Sequence, residues 1–366
     1  MKLAIQNTSK VWGGNEKWLA TLGEGLIARG HEVVVSCAPG PVANELAVRG
    51  IRTTTIRPRG AVDFVSAAAF TRWLHHEKPD TLLLTSWRVT PWAVVAARLA
   101  GTPRIVMRLG IVRDFPRNTP KAIALEEVQA IIVNSSEIRD VWLRTAPHHL
   151  GTRASVVLNG VRSRRGEREI QRAQLRGELG LSDATILVGG AGHIAARKGF
   201  DLLLNALAKT REPDIVVAVV GDGEYRSELE RLADSLGISS RVKWLGHRDD
   251  GAGVITAFDI FVLSSHNEGM ANVMLEAMAG GVPVIAFDVS GVSEAIGERD
   301  GRSVAGWIIP PADVDALAVA LDNAAIHLRT NPSVVEAMAD EAHWRAEHWF
   351  SPARMVAECE PLLFPK

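Results

Sequence analysis

The sequence predicts an α/β fold: two doubly wound, Rossmann-like parallel-sheet domains facing a cleft. Three observations predict it. Short apolar runs alternate with stretches of helical periodicity along the chain. The runs are apolar throughout instead of at every second residue, as expected of strands covered on both faces. The alternation breaks around Asn159-Gly160-Val161-Arg162 and then restarts, and 366 residues suffice for two domains with separate cores.

Taken in order, residues 2–6 read as a first strand, followed by Trp12-Gly13-Gly14-Asn15-Glu16. Trp18, Leu19, Leu22, Leu26 and Ile27 then recur at helical spacing up to Gly30, a C-cap. A second strand at 31–36 completes a strand–loop–helix–strand opening. Further strands are expected at 52–56, 81–85, 104–108, 130–134 and 155–158, with helices such as 63–77 and 90–100 between them. Residues 162–172 are charged and contain glycine, which reads as a linker leading into a helix. The pattern then gives strand 184–189, helix 199–209, strand 214–220, helix 223–236, strands 241–245 and 259–263, helix 271–280 and strand 282–286. From about 333 the chain is helical and carries Trp344, Trp349 and Phe350 as a strap. The domains are accordingly 1–165 and 166–345, with a closing helix in 346–366 expected to pack back toward the first.

Apolar content of 47% and charged content of 23% are those of a soluble globular protein. No apolar run approaches the ~18 residues of a membrane-spanning helix, and the opening MKLAIQNTSK turns polar too soon for a secretory signal. Cys37 and Cys359 lie far apart, fit neither a zinc site nor a disulfide framework, and are expected to be inert core residues of a cytoplasmic protein. The net charge of −1 hides an asymmetry: residues 1–165 carry 23 Lys and Arg against 12 Asp and Glu, and 166–366 carry 18 against 30. Either the halves attract each other, or the first faces an anionic partner, such as lipid headgroups at the inner face of a membrane or a phosphorylated acceptor. No nucleic-acid partner is expected.

The most informative stretch, 264–285, reads SSHNEGMANVMLEAMAGGVPVI. Glu268 lies in a glycine-containing loop, and Glu276 falls on the helix implied by Val273, Met274, Leu275, Ala277 and Met278. A strand, a polar loop and a helix start together make an anion site. Carboxylates beside it suit a ligand anionic at one end and rich in hydroxyls at the other, which is the character of a sugar nucleotide. Three more loops follow strands. Gly189-Gly190-Ala191-Gly192-His193 with Arg197-Lys198-Gly199 offers close backbone approach and two cations to a phosphate. Gly221-Asp222-Gly223 reads as a turn or a ligand contact, and Leu245-Gly246-His247-Arg248 suits holding a base by backbone groups.

The order and spacing of these loops resemble the retaining glycosyltransferases of family four, which have the two-domain GT-B architecture. The motifs that carry the resemblance are Gly13-Gly14, Leu158-Asn159-Gly160-Val161, Arg197-Lys198-Gly199, Gly221-Asp222-Gly223, Trp244-Leu245-Gly246, and two glutamates with seven residues between them followed by Ala277-Met278-Ala279 and Gly281-x-Pro283-Val284. The resemblance implies transfer of a sugar from a UDP- or GDP-linked donor to an acceptor hydroxyl with retained configuration, in glycan, glycolipid or natural-product biosynthesis. It implies catalytic roles for Lys198 and Arg197 at the diphosphate and for Glu268 at the transferred sugar. Donor contacts would come from Gly192, His193, Gly221, His247, Arg248, the amides of Gly269, Met270, Asn272 and Val273, and Glu276 at the ribose. Gly13 and Gly14 would close on the diphosphate and acceptor. No metal and no other cofactor is implied, since protein cations can stand at the diphosphate.

Two departures stand out. The family usually has His where this chain has Arg108, and Arg where it has His193. Arg108 is therefore expected to present a cation to the sugar or diphosphate, or to contact the acceptor; it cannot accept a proton at neutral pH. Two other functions compete. A non-catalytic nucleotide-sugar-binding homologue is made thinkable by those departures, and a nicotinamide-dependent oxidoreductase by Gly190-Ala191-Gly192 with Asp222 as the ribose acid.

Overall fold

The computed structural model describes residues 1–58, 63–299 and 302–365. The chain divides into two compact units, Met1–Gly160 with Pro352–Lys366, and Val161–Ser351.

The first unit is built on β1 (Lys2–Gln6), β2 (Glu32–Cys37), β3 (Arg52–Thr55), β4 (Thr81–Leu84), β5 (Arg104–Leu109), β6 (Ala130–Val133) and β7 (Ala154–Val156). They form one parallel sheet in the order β3-β2-β1-β4-β5-β6-β7. Successive side chains of a strand point to opposite faces, so the continuous apolar runs feed two cores at once. Ala4, Val34, Leu82, Leu84, Ile105 and Met107 enter one, while Leu3, Ile5, Val33, Val35, Leu83 and Val106 enter the other.

The second unit holds β8 (Ile186–Ala191), β9 (Ile215–Val220), β10 (Val242–Gly246), β11 (Ile260–Leu263) and β12 (Val284–Phe287), then a ribbon of β13 (Glu298–Arg299) and β14 (Arg302–Ser303), and finally β15 (Gly306–Ile309). The parallel sheet runs β10-β9-β8-β11-β12-β15.

Predicted and observed elements differ in four informative places. The helix expected from 223 begins at Arg226, because Gly223 to Tyr225 form a turn whose Tyr225 N–H donates to the Ile194 carbonyl at 3.1 Å. The supposed linker is already helical from Arg168 to Leu179; that helix buries only Leu175 and Arg176, so its apolar signal is faint. The edge strand Gly306–Ile309 is half-exposed and escaped the pattern. The unit boundary falls at Gly160 and not at 165, because Val161 N–H donates to the Phe350 carbonyl at 2.7 Å and Arg164 N–H to the Ala279 carbonyl at 3.2 Å.

The closing helix runs Pro352–Leu363, with proline at its first position. It packs in the first unit against helix Gly14–Ala28. Its end is fixed by the Arg104 guanidinium, which donates twice to the Leu362 carbonyl at 2.8 and 3.0 Å, and by Glu360, 2.7 Å from His31 Nε2.

Candidate active site

In an open parallel sheet, ligands bind outside the carboxyl ends of the strands where the order reverses. In the second unit that point lies between β8 and β11, which are neighbours in the sheet. The loops leaving these strands carry Lys198 and Glu268, and the backbone locks them together. His266 N–H donates to the Arg197 carbonyl at 2.9 Å, and the Ser264 hydroxyl to the Lys198 carbonyl at 3.2 Å. The approach is too close for a side chain: a Cβ on Gly199, whose φ is +61°, would stand 1.9 Å from the Ser264 carbonyl oxygen.

On this frame Lys198 Nζ donates to Glu268 Oε1 at 2.5 Å, and the Ser265 hydroxyl donates to the same oxygen at 2.9 Å. Arg197 reaches to 3.7 Å of it but lies mostly in solvent, 54% exposed, against 12% for each of Lys198 and Glu268. The cluster thus offers one carboxylate and two cations, a surplus of positive charge suited to an anion. Ser265 is a member that sequence reasoning missed; its only signal was a hydroxyl three residues before Glu268.

The other rim loops are stitched to this one. Gly192 N–H donates to the Val220 carbonyl at 2.9 Å, Ile194 N–H to the Asp222 carbonyl at 2.9 Å, and Gly221 N–H to the Gly246 carbonyl at 2.7 Å. A Cβ on Gly221 would meet the Gly192 carbonyl oxygen at 1.9 Å, and one on Gly192 would lie 3.6 Å from Lys198 Cε. The glycines therefore tie three strand ends together, with Gly192 beside Lys198. Beyond β11, Gly269 and Met270 are buried, and helix Asn272–Ala279 starts at half-buried Asn272 and Val273 with no side-chain cap. Glu276 stands one turn inside that helix and is buried.

Three predicted residues turn their side chains to neighbouring carboxylates. His193 Nε2 lies 2.9 Å from Glu224 Oε2 at the surface, and exposed His247 lies 3.5 Å from Asp249 Oδ1. Arg248 donates to both oxygens of Asp250 at 2.9 and 3.0 Å and to Glu178 at 2.7 Å. Those hydrogen bonds, Asp250's foremost, raise its affinity for the proton above that of an ordinary guanidinium. Asp222, the ribose acid an oxidoreductase needs, accepts the N–H of Gly223 at 2.8 Å.

In the first unit the order reverses between β1 and β4. The loop after β1 leads to Gly13 and Gly14 and is held to the loop after β4: Thr8 N–H and hydroxyl both reach the Ser86 hydroxyl, at 3.0 and 2.8 Å. Buried Glu16 organises the helix start. It accepts Gly13 N–H at 3.2 Å, Asn7 Nδ2 at 2.9 Å and Asn15 Nδ2 at 3.0 Å. Arg108, at the end of β5, is buried as well. It donates to Asn15 Oδ1 at 2.6 Å and to Asn159 Oδ1 at 3.3 Å, with its guanidinium carbon 4.3 Å from the Trp18 ring centroid. Burial pushes its pKa down to about 10. Sequence reasoning singled out Arg108 but missed Asn7 and Glu16 as its surroundings.

Among the described residues, no helix is long and apolar enough to cross a membrane, and no three His, Cys, Asp or Glu side chains group as metal ligands.

Comparison with known proteins bears on the whole chain. Residues 12–165 match the model of glycosyltransferase family 4, and residues 171–327 that of glycosyl transferases group 1. The lipopolysaccharide core biosynthesis glycosyltransferase LpsE of Rhizobium meliloti (strain 1021) is 28% identical over 77% of this chain and 82% of its own. The D-inositol 3-phosphate glycosyltransferase of Mycobacterium marinum is 33% identical over 70% of this chain and 55% of its own. In fold, the chain is similar to Anabaena Alr3699/HepE, solved in complex with UDP and glucose, with a TM-score of 0.84 at 20% identity over 99% of both chains.

Proposed function

The chain belongs to the family-four glycosyltransferases, with the GT-B fold, and from that premise we propose that it moves a sugar from a UDP- or GDP-linked donor to an acceptor hydroxyl with retention and without a metal. The membership also removes the oxidoreductase alternative. One observation supports the finer reading: the Lys198–Glu268 pair stands where the second sheet reverses, with Glu268 four residues before the start of helix Asn272–Ala279.

In the reaction the glycosidic C–O bond to the diphosphate breaks, and negative charge grows on the leaving oxygens. Preorganised cations and N–H groups aimed at that charge lower the barrier. Lys198 takes this role, with Arg197 beside it and the amides of Asn272 and Val273 at the positive end of the helix. Glu268, positioned by Ser265, accepts hydrogen bonds from hydroxyls of the transferred sugar, alongside the Gly269 and Met270 amides. Glu276 accepts from the ribose hydroxyls. The acceptor proton passes to the leaving phosphate oxygen, so the mechanism needs no separate protein base.

The acceptor we propose is a saccharide carried at an anionic membrane surface, reached from the cytoplasmic side. The surplus of 11 positive charges in residues 1–165 supports this, as does the naming of LpsE for lipopolysaccharide core biosynthesis. Co-sedimentation with anionic vesicles should be strong at low salt and lost at high salt; no binding at low salt would remove the membrane.

The direct test is release of UDP or GDP from a panel of nucleotide sugars, with calorimetry for binding and proton NMR for the anomeric configuration of the product. Release from at least one donor and a retained anomer are expected. Binding without release across a broad acceptor panel would favour the non-catalytic homologue. Neither binding nor release would overturn the proposal.

A further inference from the structure

We infer that Arg108 is a positioning residue: it sets the Gly13–Gly14 loop through Asn15 and does not itself touch the donor or acceptor. This rests on the reading that the loop closes on ligand. Arg108 is 7% exposed, and its guanidinium is engaged on three sides. Nη1 donates to Asn15 at 2.6 Å, Nη2 to Asn159 at 3.3 Å, and the Trp18 ring covers the cation at 4.3 Å. Asn15 and Trp18 belong to the helix that Gly14 opens. Gly110 permits the arrangement from the other side, since a Cβ there would lie 2.8 Å from Nη1.

Asn15 makes the link directional. Its Oδ1 accepts from Arg108 while its Nδ2 donates to Glu16 Oε1, so each end of the amide has one assigned partner. Glu16 in turn holds Gly13 N–H at 3.2 Å. The chain Arg108–Asn15–Glu16–Gly13 thus spans 93 positions of sequence at its first step and ends on the loop backbone. A direct Arg108–Glu16 pair would satisfy charge but would leave Asn15, next to Gly14, unfixed. A histidine lacks the fork that reaches both asparagines, so the exchange at this position changes how the loop is set.

The test compares Arg108→Met, Asn15→Ala, their double variant and Arg108→Lys. Two readouts are needed: backbone hydrogen exchange over residues 7–18 in the free protein, and donor KM with kcat per folded molecule. Each single change should speed exchange in that segment and lower kcat/KM by about tenfold to a hundredfold. The double variant should be no worse than the poorer single, as for two members of one linkage. Lysine should not rescue. Loss of folded enzyme alone lowers the maximal rate and leaves kcat per folded molecule and KM unchanged, whereas a displaced loop raises KM.

Additive losses, full rescue by lysine, or lost turnover with unchanged exchange would make Arg108 a direct ligand contact and overturn the inference. Unchanged exchange with unchanged kinetics would overturn it too. If Arg108→Met does not fold, Asn15→Ala and Asn159→Ala are read in the same way. A wild-type enzyme that releases no nucleotide would sink the proposed function, while the exchange result would still decide how the loop is held.

Discussion

Each sheet carries a basic side chain at its carboxyl edge near the reversal of strand order, and the two are held in different ways. Lys198 is paired with a carboxylate, Glu268, at 2.5 Å, with mostly exposed Arg197 beside it. Arg108 is held by two neutral amides and an indole ring, and burial pushes its pKa down to about 10. An ammonium paired with a carboxylate can exchange that partner for a phosphate of the same charge at little cost. A guanidinium enclosed by amides has no such exchange open to it. On the proposed reading, a cation near the reversal thus serves binding in one unit, and one a strand further along sets a loop in the other.

The largest effect is expected of Glu268→Gln. It frees Lys198 from its competitor while weakening the grip on the sugar. Turnover should fall about a hundredfold or more, yet UDP or GDP alone should bind more tightly than to the wild type in calorimetry. Unchanged turnover would take Glu268 out of the site; weaker nucleotide binding would contradict the exchangeable pair.

Next in size is Gly199→Ala. A left-handed φ and a Cβ 1.9 Å from the Ser264 carbonyl force the two loops apart. A fall in melting temperature of about 5 °C or more is expected, with lost turnover. An unaltered melt would show that the loops are not locked as described. Glu276→Ala should then raise the dissociation constant for nucleoside diphosphate by about tenfold to a hundredfold, as for a lost charged hydrogen bond. Equal affinity would remove it from the ribose.

The difference between the two cations also explains what the sequence could reveal. The loops that bring Lys198 and Glu268 together, and the helix that carries Glu276, were legible because each is short and its neighbours carry the pattern. The strands were legible because burial on both faces writes continuous apolar runs such as Ile215–Val220. The role of Arg108 was not, since its partners lie 93 and 51 positions away and no local spacing announces them. The side chain of Arg248 was illegible for the opposite reason: it follows the right strand, but Asp250 and Glu178 take up its guanidinium, which leaves only its backbone to a base. Helix Arg168–Leu179 looked like a linker because it is strongly charged and buries only Leu175 and Arg176, which leaves few apolar residues to mark it.

The smallest effect concerns the strap at the first unit. Glu360 is held below the ordinary carboxylate range by its hydrogen bond to His31 first and to Arg29 second. A depressed carboxyl stabilises the fold at neutral pH, and that contribution fades as pH falls through the lowered value. Melts from about pH 7 to about pH 3 should therefore show a shallower acid-side loss for Glu360→Gln than for the wild type. Parallel curves would mean that the pair contributes nothing to holding the helix.

In the proposed mechanism Lys198 serves the breaking bond more than the resting donor. Single-turnover release of nucleoside diphosphate by wild type and Lys198→Ala, both saturated with donor, tests it most directly. A rate about a hundredfold to a thousandfold lower in the variant is expected, with a much smaller loss of donor affinity. An unchanged single-turnover rate, or a loss confined to affinity, would contradict it.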